Sequence, residues 1–192
     1  MAQKIKKNAK KFFEQHKPKD RPAKAKATTF LLNGLLVAVI LLTMWEANIY
    51  EKTFIPFGIL FTFWLVTGLV TTVGLRKFIT TYLLTSSWFL QIVFNTITWG
   101  GIVVFVFMWT NYEFADNTTF NANKKIISEG YLPKGKFGHC NKPYAIINYN
   151  GLEKQLSYYC ETQIELYKSI DLTLAKGLFG FDIIVQSQLK TN

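Results

Sequence analysis

Long uncharged stretches constrain this chain more than any other feature of its sequence. Three segments of 19, 23 and 35 residues contain no charge, and they lie between Lys26 and Glu46, Lys52 and Arg76, and Lys77 and Glu113. A helix of about 20 apolar residues crosses the ~30 Å hydrocarbon layer of a bilayer, because each residue rises ~1.5 Å and the helix bonds its own backbone amides. The first two segments therefore each fit one membrane crossing.

The third uncharged segment is too long for one crossing and too short for two. We place a break at Thr85, Ser86 and Ser87, so that residues 76–87 are cytoplasmic or interfacial. A soluble protein with apolar core helices is the alternative, but such helices normally keep a polar face every 3.6 residues. No such face is present in the first two segments. The predicted transmembrane spans are 28–46, 56–75 and 88–110.

The positive charge is concentrated at the N terminus. Ten Lys or Arg residues stand against two acidic residues in positions 1–27, so most of the net charge of +10 lies there. Basic flanks of transmembrane helices stay in the cytoplasm, and Arg76 and Lys77 would lie on that side too. The predicted arrangement is a cytoplasmic tail at 1–27, a transmembrane domain at 28–110 in the plasma membrane, and an extracytoplasmic domain at 111–192.

The basic tail has two interpretations. It can act as a topology signal that also contacts anionic lipid at the cytoplasmic face, with about 1 kcal/mol from each basic residue near the surface. It can instead bind nucleic acid or protein, but aromatic residues among the bases, which nucleic-acid binding favours, are limited to Phe12 and Phe13. We therefore expect lipid contact and no nucleic acid, and the predicted lipid-contacting residues are Lys4, Lys6, Lys7, Lys10 and Lys11.

The uncharged segments contain no Asp, Glu, Lys, Arg or His. They therefore give no support to a transport function, since proton relays and ion pathways usually carry an ionisable group inside the membrane. They do carry a polar stripe on one side of the third predicted helix: Gln91, Asn95, Thr98 and Gly101 recur every three or four residues. Such residues face protein rather than lipid. The stripe can pack within the three-helix unit, line a polar path, or dock a second copy or a larger complex. We retain it as a candidate helix-docking stripe.

Beyond residue 111 the sequence alternates polar and apolar residues, which is typical of strands. Asn150-Gly151 separates two such runs and indicates a two-residue hairpin turn, because both residues accept a positive φ. The predicted register pairs Tyr149 with Leu152, and one step further on Ile147 with Lys154 and Ala145 with Leu156. The open end of this hairpin would bring Cys140 near Cys160, so a disulfide is expected in an oxidising compartment.

Further strands are predicted at 125–131, 170–174 and 181–185, and a short helix from Thr162 to about Ser169, where Thr162 and Glu165 match a capping box. The predicted fold class is therefore a membrane α-helical protein with three transmembrane helices and a small extracytoplasmic β-rich (α+β) domain that contains one short helix.

Residues for catalysis are sparse. The two histidines are His16 and His139, whereas a zinc site needs three or four ligands within reach. The acidic residues of the C-terminal domain are scattered, and no phosphate-binding or nucleotide motif occurs. Asn117 begins an Asn-Thr-Thr glycosylation acceptor. We expect no catalytic, metal or cofactor site.

Three functions are considered. The first is a non-catalytic accessory or structural subunit of an envelope complex, which docks laterally through its helices to protein partners or to a second copy and presents an extracytoplasmic binding domain. The second is a membrane sensor or signal-relay protein. A membrane enzyme or transporter is the third, and it would need His139, Glu129 or Asp182 to converge in a cleft, or polar residues to line a passage.

Overall fold

The computed structural model describes residues 23–83, 87–134 and 140–191 and contains three long apolar helical segments followed by a five-stranded antiparallel sheet. The helices are α1 (Ala23–Glu51), α2 (Phe57–Leu83), α3 (Trp88–Asn95) and α4 (Gly101–Glu113), and a π-helical turn at Thr96–Gly100 joins the last two into one segment. Three stretches are long and apolar enough to cross a membrane, namely Phe30–Glu51, Phe57–Thr81 and Trp88–Glu113. The predicted number of long apolar helices is confirmed.

The second helix is longer than the sequence pattern indicated. It continues to Leu83, through residues 78–83 that we had placed in the connecting segment. Ile79 is 1% exposed and the Thr80 hydroxyl accepts a hydrogen bond from Gln91 Nε2 at 2.8 Å, so packing against α3 stabilises these last turns. The next helix begins at Trp88, where we predicted it.

Small residues allow α2 and the third helical segment to approach closely. A methyl group on Gly68 would lie 2.7 Å from the Cα of Thr96, and one on Gly100 would lie 2.6 Å from the Trp64 carbonyl oxygen. Both contacts involve the π-helical turn. The turn is therefore the point at which these two helices are most tightly packed, as expected where glycine replaces larger side chains at a membrane-type helix interface.

The sheet contains β1 (Thr119–Leu132), β2 (Lys142–Tyr149), β3 (Leu152–Ser157), β4 (Ser169–Lys176) and β5 (Asp182–Lys190), in the spatial order β3-β2-β1-β4-β5. The long strand β1 pairs with β4 through residues 119–125 and with β2 through residues 126–132, with a register shift between Ile126 and Ser128. β3 and β5 are consequently the two edges. The core of the domain contains Phe54, Ala145, Ile147, Tyr149, Leu156, Ile164, Ile170, Leu172 and Leu174.

The hairpin prediction is confirmed in its register. Tyr149 pairs with Leu152, and the two further predicted pairs follow along the ladder. Asn150 and Gly151 have φ values of 51° and 85°, as a type I′ turn requires. Cys140 and Cys160 are paired at disulfide distance, with their Cα atoms 6.0 Å apart.

Two local predictions were wrong. The helix expected from Thr162 to Ser169 is only a three-residue 3-10 turn, Ile164–Leu166, and no side chain caps it. Ile164 is fully buried in the sheet core and β4 already begins at Ser169, so there is no room for a longer helix. In β5, Val185 does not continue the buried side of Ile183 but is 59% exposed, because the pairing with β4 shifts register there.

Candidate functional site

The connection between α1 and α2 forms the first junction between the helices and the sheet. Thr53 makes an antiparallel bridge to Ile183. The Phe54 amide donates to the Asp182 carbonyl at 2.9 Å, and the Ile184 amide donates to the Lys52 carbonyl at 2.7 Å. Residues 52–54 therefore act as a short additional strand on the open edge of β5.

A lysine from the hairpin holds this connection in place. The Lys154 ammonium donates to the backbone carbonyls of Tyr50 and Thr53, the latter at 3.0 Å, and lies 4.2 Å from the centre of the Tyr50 ring. Burial lowers the pKa of Lys154 to about 8, while the nearby Glu51 carboxylate opposes the shift. Among the described residues, these contacts of the ammonium all lie in the junction, so Lys154 links β3 to the end of α1.

Tyr149 and Asp182 form a buried polar pair beside Phe54 of this connection. The Tyr149 hydroxyl donates to Asp182 Oδ2 at 2.9 Å, and the Lys176 ammonium lies 2.9 Å from Asp182 Oδ1. Burial, followed by the hydrogen bond to Asp182, raises the pKa of Tyr149 to about 12. The phenol thus stays protonated at neutral pH and serves as a hydrogen-bond donor across the sheet.

The end of α4 forms a second junction, which we did not predict. The Asn111 side chain is fully buried; it accepts a hydrogen bond from the Phe179 amide at 3.0 Å and donates to the Phe181 carbonyl at 3.4 Å. Both partners lie in the turn between β4 and β5. We had treated Asn111 only as the first residue of the outer domain, although a lone amide at the end of an apolar span is a polar group that requires a partner.

A groove of about 880 Å³ lies between the two edge strands, β3 and β5. The end of α1, the end of α4 at Tyr112, and residues 115–117 and 119 complete its wall. Its lining combines both charges, with Glu51, Asp116 and Glu153 beside Lys52 and Lys154. The groove therefore carries no single-sign potential that would select a strongly charged small molecule.

The edge of β5 is weakly protected against pairing with another strand. Edge strands usually carry charged residues, proline or bulges that discourage association. Residues 185–189 of β5 contain neither charge nor proline, and Val185 to Ser187 line the groove. The register shift beside Val185 is the one protective feature among these residues. The groove therefore presents an open strand edge next to the part of β5 that residues 52–54 already occupy.

A second cleft, of about 550 Å³, opens between the helices. Its lining comes from α1, α2, the π-helical turn and α4, and Glu46 is its only charged residue. Glu46 lies five residues before the end of α1, which is about 7.5 Å along the axis. We had taken Glu46 as the boundary of the uncharged stretch, but the helix continues to Glu51 and places this carboxylate inside the candidate span.

The residues of the predicted docking stripe lie inside the three-helix unit. Gln91, Asn95 and Thr98 are fully buried, and Gly101 contacts Val39 of α1. The Asn95 amide donates to the Thr72 hydroxyl of α2 at 3.1 Å. This geometry matches the alternative in which the stripe residues pack within the three-helix unit.

Several of the other residues singled out from the sequence fall outside the part of the chain that the structure describes. Lys4, Lys6, Lys7, Lys10 and Lys11 lie outside the described residues, as do His16 and His139. Among the described residues, no group of three or more His, Cys, Asp or Glu could hold a metal ion. Asn117 is exposed and lines the groove.

The chain matches no protein-family model, no curated protein and no solved structure. The two junctions, the groove and the cleft are therefore the features on which a function can be proposed.

Proposed function

We propose that the chain is a non-catalytic accessory subunit of an envelope complex, a multi-pass plasma-membrane protein with its N terminus in the cytoplasm and its sheet domain outside. The three apolar helices support the membrane location. The charge distribution supports the orientation, because the basic tail precedes α1 in the sequence, and Arg76 and Lys77 lie in the last two turns of α2, away from the α1–α2 connection that pairs with β5. Positive residues of short flanks remain inside.

The groove between β3 and β5 is the observation that carries the proposed binding role. Residues 52–54 already pair with the first part of β5 through two backbone hydrogen bonds. An extended polypeptide segment of a partner would continue this pairing along Val185 to Ser187, as in other proteins that bind a peptide by adding a strand to a sheet edge. Backbone pairing suits a lining of mixed charge, since it requires no charge on the partner.

Lateral docking through the helices is the second part of the proposal. The stripe of Gln91, Asn95 and Thr98 is already used within the chain, so the cleft that contains Glu46 is the better candidate surface. A carboxylate in an apolar wall is costly unless it is paired. The occupant would be a transmembrane helix of a partner that places a basic or hydrogen-bond-donating side chain opposite Glu46.

A sensor that relays ligand binding to the helices is the alternative, and one observation favours it. Tyr50 and Glu51 line the groove and also form the end of α1, and the next residue, Lys52, lines it too. A ligand in the groove would therefore contact a transmembrane helix directly. A shift of α1 on ligand binding, measured by a distance between labels on α1 and α2, would support the sensor over the accessory subunit.

The orientation is tested with reporter fusions. A periplasmic or extracellular reporter after residue 192 should be active, and the same reporter inserted after Leu83 should be inactive. A cytosolic reporter should give the opposite pattern. Cytosolic activity at residue 192 would contradict the proposed arrangement.

The binding role is tested by photo-cross-linking in native membranes. A photoreactive amino acid at Val185, in the groove, should cross-link to a defined partner, whereas the same residue at Ile127, which is 57% exposed and outside the groove, should not. Gln186→Lys should lower cross-linking from Val185, because a lysine on an edge strand disfavours strand addition. Equal cross-linking from both positions, or none from either, would contradict a role for the groove.

A further inference from the structure

The turn between β4 and β5 carries adjacent exposed apolar side chains. Residues 177–181 read Gly-Leu-Phe-Gly-Phe, and Leu178 and Phe179 are 55% and 47% exposed. Gly180 has a φ of 82°, a conformation that favours glycine and permits the tight turn. A contiguous apolar surface of this kind usually marks a contact with protein or lipid.

A ring contact fixes the depth of this turn relative to the helices. The Phe179 ring stacks on the ring of Phe107 in α4, with centroids 4.8 Å apart and planes 9° from parallel. Phe107 lies six residues before the end of α4, about 9 Å along the axis. Helical side chains tilt toward the N-terminal end, which moves the ring further from the end of the span. Phe179 therefore lies beside the apolar part of a candidate transmembrane helix.

The backbone N–H groups of the turn are hydrogen-bonded within the protein, as a lipid environment requires. The amides of Gly177 and Gly180 donate to carbonyl oxygens within the turn, of Phe181 and Gly177 respectively. The amide of Leu178 donates to the Asn111 backbone oxygen and that of Phe179 to the Asn111 side chain. Irregular backbone is excluded from hydrocarbon unless its polar groups are satisfied by protein. Here four consecutive N–H groups meet that condition.

We propose that this turn is inserted into the outer leaflet of the bilayer, with Leu178 and the free face of Phe179 in contact with lipid acyl chains. The inference depends on the proposed transmembrane arrangement of α4. Insertion continues the lipid-facing surface of that helix, on which Val106 is 49% exposed. It also gives the sheet domain an attachment to the membrane in addition to its chain connection.

The proposal is tested with spin labels in the full-length protein reconstituted into phosphatidylcholine–phosphatidylglycerol vesicles. Single cysteines replace Leu178 in the turn, Val106 on α4, or Gln188, an exposed position of β5 away from the turn. Cys140 and Cys160 are paired and should not react with the label. The measured quantity is the ratio of collision rates with oxygen, which enters the bilayer, and with a water-soluble nickel chelate.

The expected ratio at Leu178→Cys resembles that at Val106→Cys and is several-fold higher than that at Gln188→Cys. A ratio at Leu178→Cys equal to that at Gln188→Cys, with Val106→Cys still lipid-exposed, would overturn the inserted turn alone. A water-exposed label at Val106→Cys would overturn the transmembrane arrangement as well. If Leu178→Cys does not fold, the same label on Phe179→Cys decides between these outcomes.

Discussion

Replacing Asn111 with alanine should weaken the attachment of the sheet domain to α4. The substitution removes the acceptor of the Phe179 amide at 3.0 Å and one of the two donors to the Phe181 carbonyl. An unsatisfied buried amide costs about 1–3 kcal/mol. The Phe181 carbonyl still accepts a hydrogen bond from the Gly177 amide at 2.9 Å. We therefore expect the loss of its second donor to cost about 1 kcal/mol or less. The expected total loss of stability is therefore about 1–4 kcal/mol.

The assay is unfolding of the full-length protein in mixed detergent micelles, followed by circular dichroism, together with amide hydrogen exchange of residues 177–181. Asn123→Ala is the matched control. Asn123 is also an asparagine whose side chain donates a hydrogen bond, to Asp171, but it lies on the surface of the domain. It should change stability by no more than about 0.5 kcal/mol. The reasoning is refuted if Asn111→Ala falls within that same margin and the exchange of the turn is unchanged.

Two further substitutions test the packing of the helices and the polar pair of the sheet. Gly68→Ala would place a methyl group 2.7 Å from the Cα of Thr96 and should destabilise the protein by about 1–3 kcal/mol. Gly74→Ala, with nothing within 4 Å, should be neutral or stabilise by up to about 1 kcal/mol; equal unfolding midpoints in detergent would contradict this account of the interface. Tyr149→Phe removes the hydrogen bond to Asp182 and should cost about 1–2 kcal/mol. The pKa of Tyr149 is raised from 10.0 to about 12 on folding, so the stability that it contributes is complete below pH 10 and is lost as the pH rises toward 12. Unfolding midpoints of the parent and the variant should converge over that range, and a constant difference up to pH 12 would be inconsistent with the raised pKa.

Local sequence signals were sufficient to predict the long helices, the hairpin and the presence of the other strands, but not the 3-10 turn at Ile164–Leu166. The uncharged segments predicted three apolar helices, because length and the absence of charge are properties of the chain alone. Asn150-Gly151 predicted both the turn and the register of its hairpin, since a two-residue turn leaves no freedom in strand pairing. That register in turn brought Cys140 and Cys160 to the same end of the hairpin.

The candidate sites depended on contacts between residues distant in sequence. Asn111 and Phe179 are separated by 68 positions, and no periodicity relates a helix end to a later turn. Glu46 appeared to end a span, but the helix continues beyond it. The polar stripe was recognised from its spacing, whereas its partners on α2 could only be identified from the packed helices.

The sequence by itself determined which segments are apolar helices, which are strands, and where the hairpin turns, because charge, periodicity and turn chemistry act over a few residues. Tertiary structure alone decided that residues 52–54 complete the edge of β5, that a groove remains between β3 and β5, and that Asn111 holds an apolar turn beside α4. These features arise when backbone groups left unpaired in one segment meet partners in another. Such pairing depends on the three-dimensional path of the chain.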